Sequence, residues 1–479
     1  MDADLIILGG GPAGLAAAFR ARERGARVLL VEREHLGGTC LHRGCVPTVA
    51  SLEMAHLRRQ SREARGWGLG LALEDPDFAS LRTQRDKIIQ RLHSTFHYQL
   101  EQSEIQVIRG DARLVGPGEV EVEEEAGPKR VLRASRLILA TGSSFVLPAI
   151  PGVAEPGVLT TDHAFSLDRP PQSLIVIGGN FIGVEWAVFF HTFGARVTLV
   201  EEGSQLLPRE DPEIAEALQF VLEEMGIGVQ LRFPVQAIAT TAQGQKLVRG
   251  PEGAAELVAE RVLISDCRRP LVPTGAGPST PTTDSTDVTD RAGPSTPLKA
   301  GLGIQVEGGM VMADDHQQTA QPMVYAAGDV TGGWMLSQFA RAQGLVAAGN
   351  ALGEKTTLEP RLIPRVYHTT PEVGAVGLTE PEAQAQGEIV VGRSDFGFNA
   401  RALTLGQPLG LVKVLAQKPH GKLIGVHILG PHATELIAQA AMALCLEALA
   451  EDLAGMTLGH PTLGESLVEA AQDAVRQLG

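Results

Sequence analysis

The chain has 479 residues, 44% hydrophobic and 20% charged, enough for two or three domains with full-sized cores. Its 41 Lys and Arg against 56 Asp and Glu leave a formal charge of −15, which repels phosphate backbones and anionic headgroups and argues against nucleic acid or membrane surfaces as partners. Met1-Asp2-Ala3-Asp4 lacks the basic start of a secretory signal, and no apolar run approaches the roughly 20 residues that span a bilayer, so the expected location is cytoplasmic.

Residues 5–32 read LIILGGGPAGLAAAFRARERGARVLLVE. This is an apolar strand, a Gly-rich turn, an amphipathic helix and a second apolar strand ending in Glu. Cys40 and Cys45 follow in the segment GGTCLHRGCVPT. The patterning then predicts helices at 48–65 and 80–102, and short strands over 104–139 with a Gly-rich break at 116–118. Residues 174–201, LIVIGGNFIGVEWAVFFHTFGARVTLVE, repeat the opening unit. Gly9, Gly14, Gly25 and Glu32 align with Gly178, Gly183, Gly194 and Glu201, so one βαβ dinucleotide-binding unit is written twice. A helix is expected at 212–225, then strands to about 265. The stretch 273–297 is rich in Ser, Thr, Pro and Gly and contains AGPSTP twice, a composition that cannot bury a core and reads as a flexible insertion. Alternation resumes by 301. Strands are expected from 360, a long helical stretch at 433–454, and a last helix from about 462.

In the first copy, Gly9 allows a tight turn, Gly11 lets the backbone approach a pyrophosphate and Gly14 lets helix and strand pack closely. Glu32, eighteen residues beyond Gly14, ends the second strand where a carboxylate accepts from ribose hydroxyls. The second copy keeps Gly178 and Gly183 but has Asn180 in the middle. Asn tolerates left-handed backbone, yet its side chain takes space beside the phosphates, so binding is expected to be weaker or altered there. Glu201 favours the free 2′-hydroxyl of NAD. The Arg that a 2′-phosphate would want comes no earlier than Arg209, so NAD is expected over NADP.

Only four cysteines occur, and Cys267 and Cys445 are isolated, so no metal site is expected. In a straight helix, residues five apart have Cα atoms about 8–9 Å apart, whereas a disulfide needs roughly 4.4–6.8 Å. Cys40 and Cys45 can therefore join only through a distorted turn, which Gly44 permits; two buried free thiols are the alternative. A thiolate near a helix N-terminus is stabilised, as redox chemistry requires. Near the C-terminus, His460 suits proton removal at neutral pH, and a carboxylate on its other nitrogen fixes the tautomer. Thr462-x-x-Glu465 is equally a capping box that would explain Glu465 without chemistry.

GGTCLHRGCVPT resembles the redox-active disulfide signature of the class I pyridine nucleotide-disulfide oxidoreductases, and among them it is most similar to the dihydrolipoamide dehydrogenases. The resemblance covers nearly the whole chain. It includes ATG at 140–142, TAQPMVYAAGDV at 319–330, PRVYHTTPEVGAVGLTE at 364–380, GKLIGVHILGPHATELI at 421–437 and the HPTxxE segment at 460–465. It implies an α/β protein with two Rossmann-like dinucleotide-binding domains plus a C-terminal α+β dimerisation domain. The implied boundaries are 1–150 and 301–355 for the two parts of the FAD domain, 151–272 for the NAD domain, 273–300 for the insertion and 356–479 for the interface domain. It implies FAD and NAD as cofactors, with Gly142 near the flavin and Asp329 on its ribityl chain. It makes Cys40–Cys45 a disulfide, with Cys40 exchanging with substrate and Cys45 the thiolate facing the flavin. His460, oriented by Glu465, would reach the disulfide of the other subunit of a homodimer. The implied substrate is the lipoyl domain of a 2-oxo acid dehydrogenase complex, whose acyltransferase core is then a partner.

The chain also departs from that pattern. Val49 replaces a Lys expected to pair with Glu185, which would leave Glu185 unpaired. The Ala-x-Gly-Arg-x-Pro segment reads Ser265-Asp266-Cys267-Arg268-Arg269-Pro270, Leu458 replaces a His, and a Leu-Ala-His segment reads Leu336-Ser337-Gln338. These changes keep two alternatives open: an NAD(P)H-dependent reductase of another disulfide or of quinones, and a catalytically weak FAD-binding structural component.

Overall fold

A computed structural model describes residues 1–70, 76–124, 127–265, 268–273 and 302–479. Beyond Pro273 the expected insertion lies outside the described residues, as do Asp266 and Cys267. The chain divides into two compact units: 1–50, 82–148 and 267–360 form the first, and 51–81, 149–266 and 361–479 the second.

In the first unit, strand Ala3–Leu8 lies between Val28–Glu32 and Arg130–Leu139, and all three run parallel. Gln106–Gly116 and Val324–Ala326 extend this sheet on either side, also in parallel. Strand alternation sends Leu5 and Ile7 to one core and Ile6 and Leu8 to another. The first core is covered by helices Pro12–Glu23 and Ser337–Ala351, whose facing residues are Ala17, Ala18, Ala21, Ala340, Ala347 and Ala348. Such small side chains let the two helices approach closely; a Cβ on Gly344 would fall 2.2 Å from the carbonyl oxygen of Ala13. On the other face, Gln106–Gly116 and Arg130–Leu139 run beyond the parallel sheet and pair antiparallel with Glu119–Glu124. A central strand buried on both faces explains the unbroken apolar run at its start.

The second unit repeats the theme. Its parallel sheet has the order Gly228–Gln230, Arg196–Val200, Ser173–Ile177, Arg261–Ile264, Val158–Thr160. Helix Phe181–Thr192 is apolar nearly all round and buries Val184, Trp186, Phe189 and Phe190. A five-stranded antiparallel sheet follows in the order Arg365–Tyr367, Glu372–Gly377, Lys422–Gly430, Leu411–Gln417, Ile389–Asp395. Helices Ala433–Cys445 and Glu465–Leu478 cover it through Leu436, Ile437, Leu467 and Ala470.

Two expectations need correction. The helical stretch at 433–454 is two helices, Ala433–Cys445 and Ala450–Ala454; the chain breaks where Glu447 takes φ 54° and Leu449 bridges to Lys422. The last helix starts at Glu465 rather than 462.

A buried ionic cluster lies inside this unit. Lys413, with 1% of its side chain exposed, reaches Asp211 at 2.8 Å, Glu213 at 2.9 Å and Glu380 at 2.6 Å. Beside it Glu210 accepts two bonds from Arg365, at 2.8 and 3.0 Å, and one from the Tyr367 hydroxyl at 2.6 Å. Among the described residues no helix is long and apolar enough to cross a membrane.

Candidate active site

The first βαβ unit forms a cradle. Gly9 takes φ 105° at the turn, and a Cβ there would meet the Ala140 carbonyl oxygen at 2.2 Å. A Cβ at Gly14 would lie 1.8 Å from the oxygen of Gly9, so helix and strand touch backbone to backbone. Gly11 has extended backbone, φ −76° and ψ −171°, and no atom stands within 4 Å of where its Cβ would be. As the N-cap it has no side chain to bond the first-turn N–H groups that follow Pro12, a helix end suited to receiving a diphosphate. Glu32 does more than await a ribose: its carboxylate accepts from Gly10 N at 2.6 Å and Glu34 N at 2.7 Å, which fixes the Gly-rich turn. Gly142, after strand Arg130–Leu139, also faces open space. Asp329 follows strand Val324–Ala326 and accepts from the Ser143 hydroxyl at 2.6 Å. Arg268 donates to Ser143 at 2.9 Å and to Thr39, the neighbour of Cys40, at 3.0 Å. These features fit a dinucleotide lying along the strand ends toward the cysteines.

The second cradle has the same geometry at its glycines: Gly178 has φ 106°, and a Cβ at Gly183 would lie 1.9 Å from the oxygen of Gly178. Glu201 accepts from Gly179 N at 2.6 Å and Gly203 N at 2.7 Å, as Glu32 does in the first copy. Asn180 does not use left-handed backbone. It takes φ −68°, ψ 174° and caps the helix, its side-chain oxygen accepting from Gly183 N at 3.0 Å. The expectation of an unpaired Glu185 is also corrected: its buried carboxylate accepts from His368 N at 2.9 Å.

The thiol pair sits where the helix breaks. Gly38–His42 and Cys45–Glu63 are separate helices, so the distorted turn that pairing requires is present. Gly44 needs no left-handed backbone; it supplies clearance, since a Cβ there would come 3.2 Å from the Thr39 carbonyl oxygen. Cys40 is half-buried, Cys45 is exposed, and the structure presents both as thiols rather than as a disulfide. Cys45 Sγ lies 2.9 Å from the Ser337 hydroxyl, and the neighbouring thiols couple each other's ionisation. The bond from Cys45 brings Cys40 down to about 7, against burial and the nearby Asp329 carboxylate that both oppose its charge. Cys45 is pushed up because its proton is held by Cys40 and because protein packs around it, even though it presents area to solvent. The pair thus gives up one proton near neutrality and keeps the second.

In the second unit, His460 Nδ1 lies 3.0 Å from Glu465 Oε1, and Thr462 N donates to Glu465 Oε2 at 2.8 Å. Glu465 therefore orients an exposed imidazole and holds the turn before the last helix, but the expected capping box is not formed: Gly464 is the N-cap, Glu465 is the first helical residue, and the Thr462 hydroxyl has no partner among the described residues. The Thr462 N–H and then His460 keep the Glu465 carboxyl below its usual range. Ser337, Ser143, Thr39 and Arg268 were missed as partners of this chemistry. Their contacts join residues 125 to 292 positions apart, and the only signals were Ser337 and Arg268, which lie in segments that depart from the family pattern.

Two nucleotide cradles and a proton-sharing thiol pair in one chain define an FAD- and nicotinamide-dependent disulfide oxidoreductase. Comparison with known proteins agrees. Residues 3–344 match the pyridine nucleotide-disulphide oxidoreductase model, and residues 363–471 match the dimerisation domain of the same name. The chain belongs to the pyridine nucleotide-disulphide oxidoreductase family. It is 34% identical to a dihydrolipoyl dehydrogenase of Bacillus subtilis (strain 168), over 98% of this chain and 97% of that one. It is 33% identical to a leghemoglobin reductase of Vigna unguiculata, over 98% of this chain and 87% of that one. A solved Cu(II) complex of the HOCl-induced flavoprotein disulfide reductase RclA from Escherichia coli superposes with a TM-score of 0.82 at 25% identity, over 98% of this chain and 99% of that one.

Proposed function

We propose that this chain is a dihydrolipoyl dehydrogenase, working as a homodimer on protein-bound dihydrolipoyl groups with NAD⁺ as the final acceptor. The observation that carries the reading is the Cys40–Cys45 pair, poised to lose one proton near neutrality, in a chain that aligns with such enzymes along almost its entire length. Gly9, Gly11, Gly14, Glu32, Gly142 and Asp329 would hold FAD. Gly178, Gly183, Glu185 and Glu201 would hold NAD, with Glu201 favouring the free ribose hydroxyl. When bound, FAD accepts the electron pair from the dithiol, and NAD⁺ carries it away.

The protein's own residues perform the exchange. A substrate thiolate attacks Cys40 of the oxidised pair, the Cys40–Cys45 bond breaks, and Cys45 leaves as a thiolate. The second substrate thiolate then attacks its own mixed-disulfide sulfur, closing the lipoyl ring and releasing Cys40. Two electrons pass to the pair. Of the two protons lost by the substrate, one stays on the cysteines and one goes to His460 of the second subunit. Glu465 on Nδ1 leaves Nε2 free to take that proton. The physiological donor would be a lipoyl domain on the acyltransferase core of a 2-oxo acid dehydrogenase complex.

The likeness to RclA, together with Val49 and Ser337-Gln338, favours a second reading, a reductase that draws on NADH. Steady-state assays of dihydrolipoamide with NAD⁺, beside NADH with a panel of disulfides and Cu(II), separate the two. Turnover confined to the NADH arms overturns the first reading, and no turnover in any arm with FAD bound points to a structural component.

A further inference from the structure

Ser337 is the first residue of helix Ser337–Ala351, and its half-buried hydroxyl lies 2.9 Å from the sulfur of Cys45. The resembling family carries Ala at this position, so the hydroxyl belongs to this chain's own chemistry. A thiolate has no proton and only accepts, so when Cys45 carries charge the serine hydroxyl must be the donor. Leu336, the N-cap, offers the helix no side-chain bond. The geometry points to Ser337 as a positioning residue that receives the negative charge on Cys45 at the moment the Cys40–Cys45 bond opens.

This rests on the reading of the two cysteines as the exchanging pair. The charge left behind when Cys45 departs falls on the sulfur that is otherwise the harder of the two to ionise, because it holds the shared proton and is packed in protein. Ser337 works against that disfavour, and it also assists Cys40. A hydrogen bond from a neutral donor to an anion shifts an ionisation by about tenfold, that is about one pKa unit. Favouring the reduced, charged form also makes the disulfide easier to reduce; a tenfold change in that two-electron equilibrium is about 30 mV.

The test uses holoenzyme reduced with excess dithiothreitol and alkylated with iodoacetamide across pH, the modification at each cysteine being read by peptide mass spectrometry. Ser337→Ala is expected to move the Cys45 midpoint up by about one unit, with a smaller rise at Cys40, and Ser337→Thr is expected to restore it. In parallel, equilibration with dithiothreitol redox buffers at a pH above the Cys45 midpoint, where that thiolate is populated, should show the Ser337→Ala disulfide about 30 mV harder to reduce. A Cys45 profile in Ser337→Ala that superimposes on the parent overturns the proposal, as does a shift that Ser337→Thr fails to reverse. If oxidised enzyme instead shows two free thiols at 40 and 45, the underlying reading fails, a result distinct from either of these.

Discussion

Replacing Gly14 by Ala tests which repeat holds which nucleotide. The added Cβ would sit 1.8 Å from the carbonyl oxygen of Gly9, whereas ordinary contact begins at 3.4 Å, so helix Pro12–Glu23 must retreat by 1.6 Å. Helix Ser337–Ala351 already touches its far side at Ala13, which blocks an easy retreat. Overpacking of this kind costs about 1–3 kcal/mol. If the helix N-terminus moves away from the diphosphate, the same energy appears as a loss of roughly tenfold to a hundredfold in FAD affinity. Gly183→Ala makes the twin clash, 1.9 Å from the oxygen of Gly178, and should leave flavin bound while raising the KM for NAD⁺ by a similar factor. The assay is flavin absorbance per protein after dialysis, followed by KM for NAD⁺ on whatever retains colour. A Gly14→Ala enzyme with full flavin content and an altered KM would reverse the assignment.

Three further outcomes are expected. Lys413→Met takes the cation from the fully buried Asp211, while Arg393 still pairs with Glu213 at 2.7 Å and reaches Glu380 at 3.7 Å, and should cost about 3–5 kcal/mol, lowering the thermal midpoint; adding Asp211→Asn should recover part of that loss. In the reduced enzyme, Cys40 should be the cysteine alkylated first. Its rate should rise with pH through about 7, because raising pH produces the thiolate, and fall away below. Glu465→Gln replaces the charged acceptor at His460 Nδ1 by a neutral amide that can present either its oxygen or its NH2, and should lower turnover by as much as about 10²–10⁴-fold, the range of general-base contributions. In the parent, the depressed Glu465 carboxyl keeps that orientation intact through mildly acidic pH, and it is lost only as pH falls through the lowered value; Gln does not titrate, so the variant should lack that acid-side loss.

Legibility followed sequence distance. Both βαβ units could be read because each is local: an apolar strand, glycines at fixed offsets and a terminal Glu lie within about thirty residues. The Cys40–Cys45 spacing likewise demanded a broken helix, and the break is there. What could not be read depends on groups brought together from afar. Glu185 seemed to lack a partner because its acceptor role is met by a backbone N–H, and no side-chain pattern announces such a group. Lys413 sits in an apolar strand sequence, and only the folded sheet brings three carboxylates to it. The acidity of Cys40 likewise comes from its neighbour's proton and from Ser337, which no local motif contains.

The two cradles differ at one position, and the difference carries a physical argument. Gly11 and Asn180 share nearly the same backbone, so conformational freedom is not what separates them. Gly11 has no side chain to bond the first-turn N–H groups that follow Pro12, so that helix end depends on a ligand or solvent to satisfy them. Asn180 bonds one of those groups itself, so its helix end is satisfied whether or not a ligand is present. On the proposed assignment, the uncapped end belongs to FAD, which remains through every turnover, and the capped end belongs to NAD, which must enter and leave each time. A capped terminus gives up some affinity for phosphate but removes the penalty of standing empty, which suits a cosubstrate and not a prosthetic group.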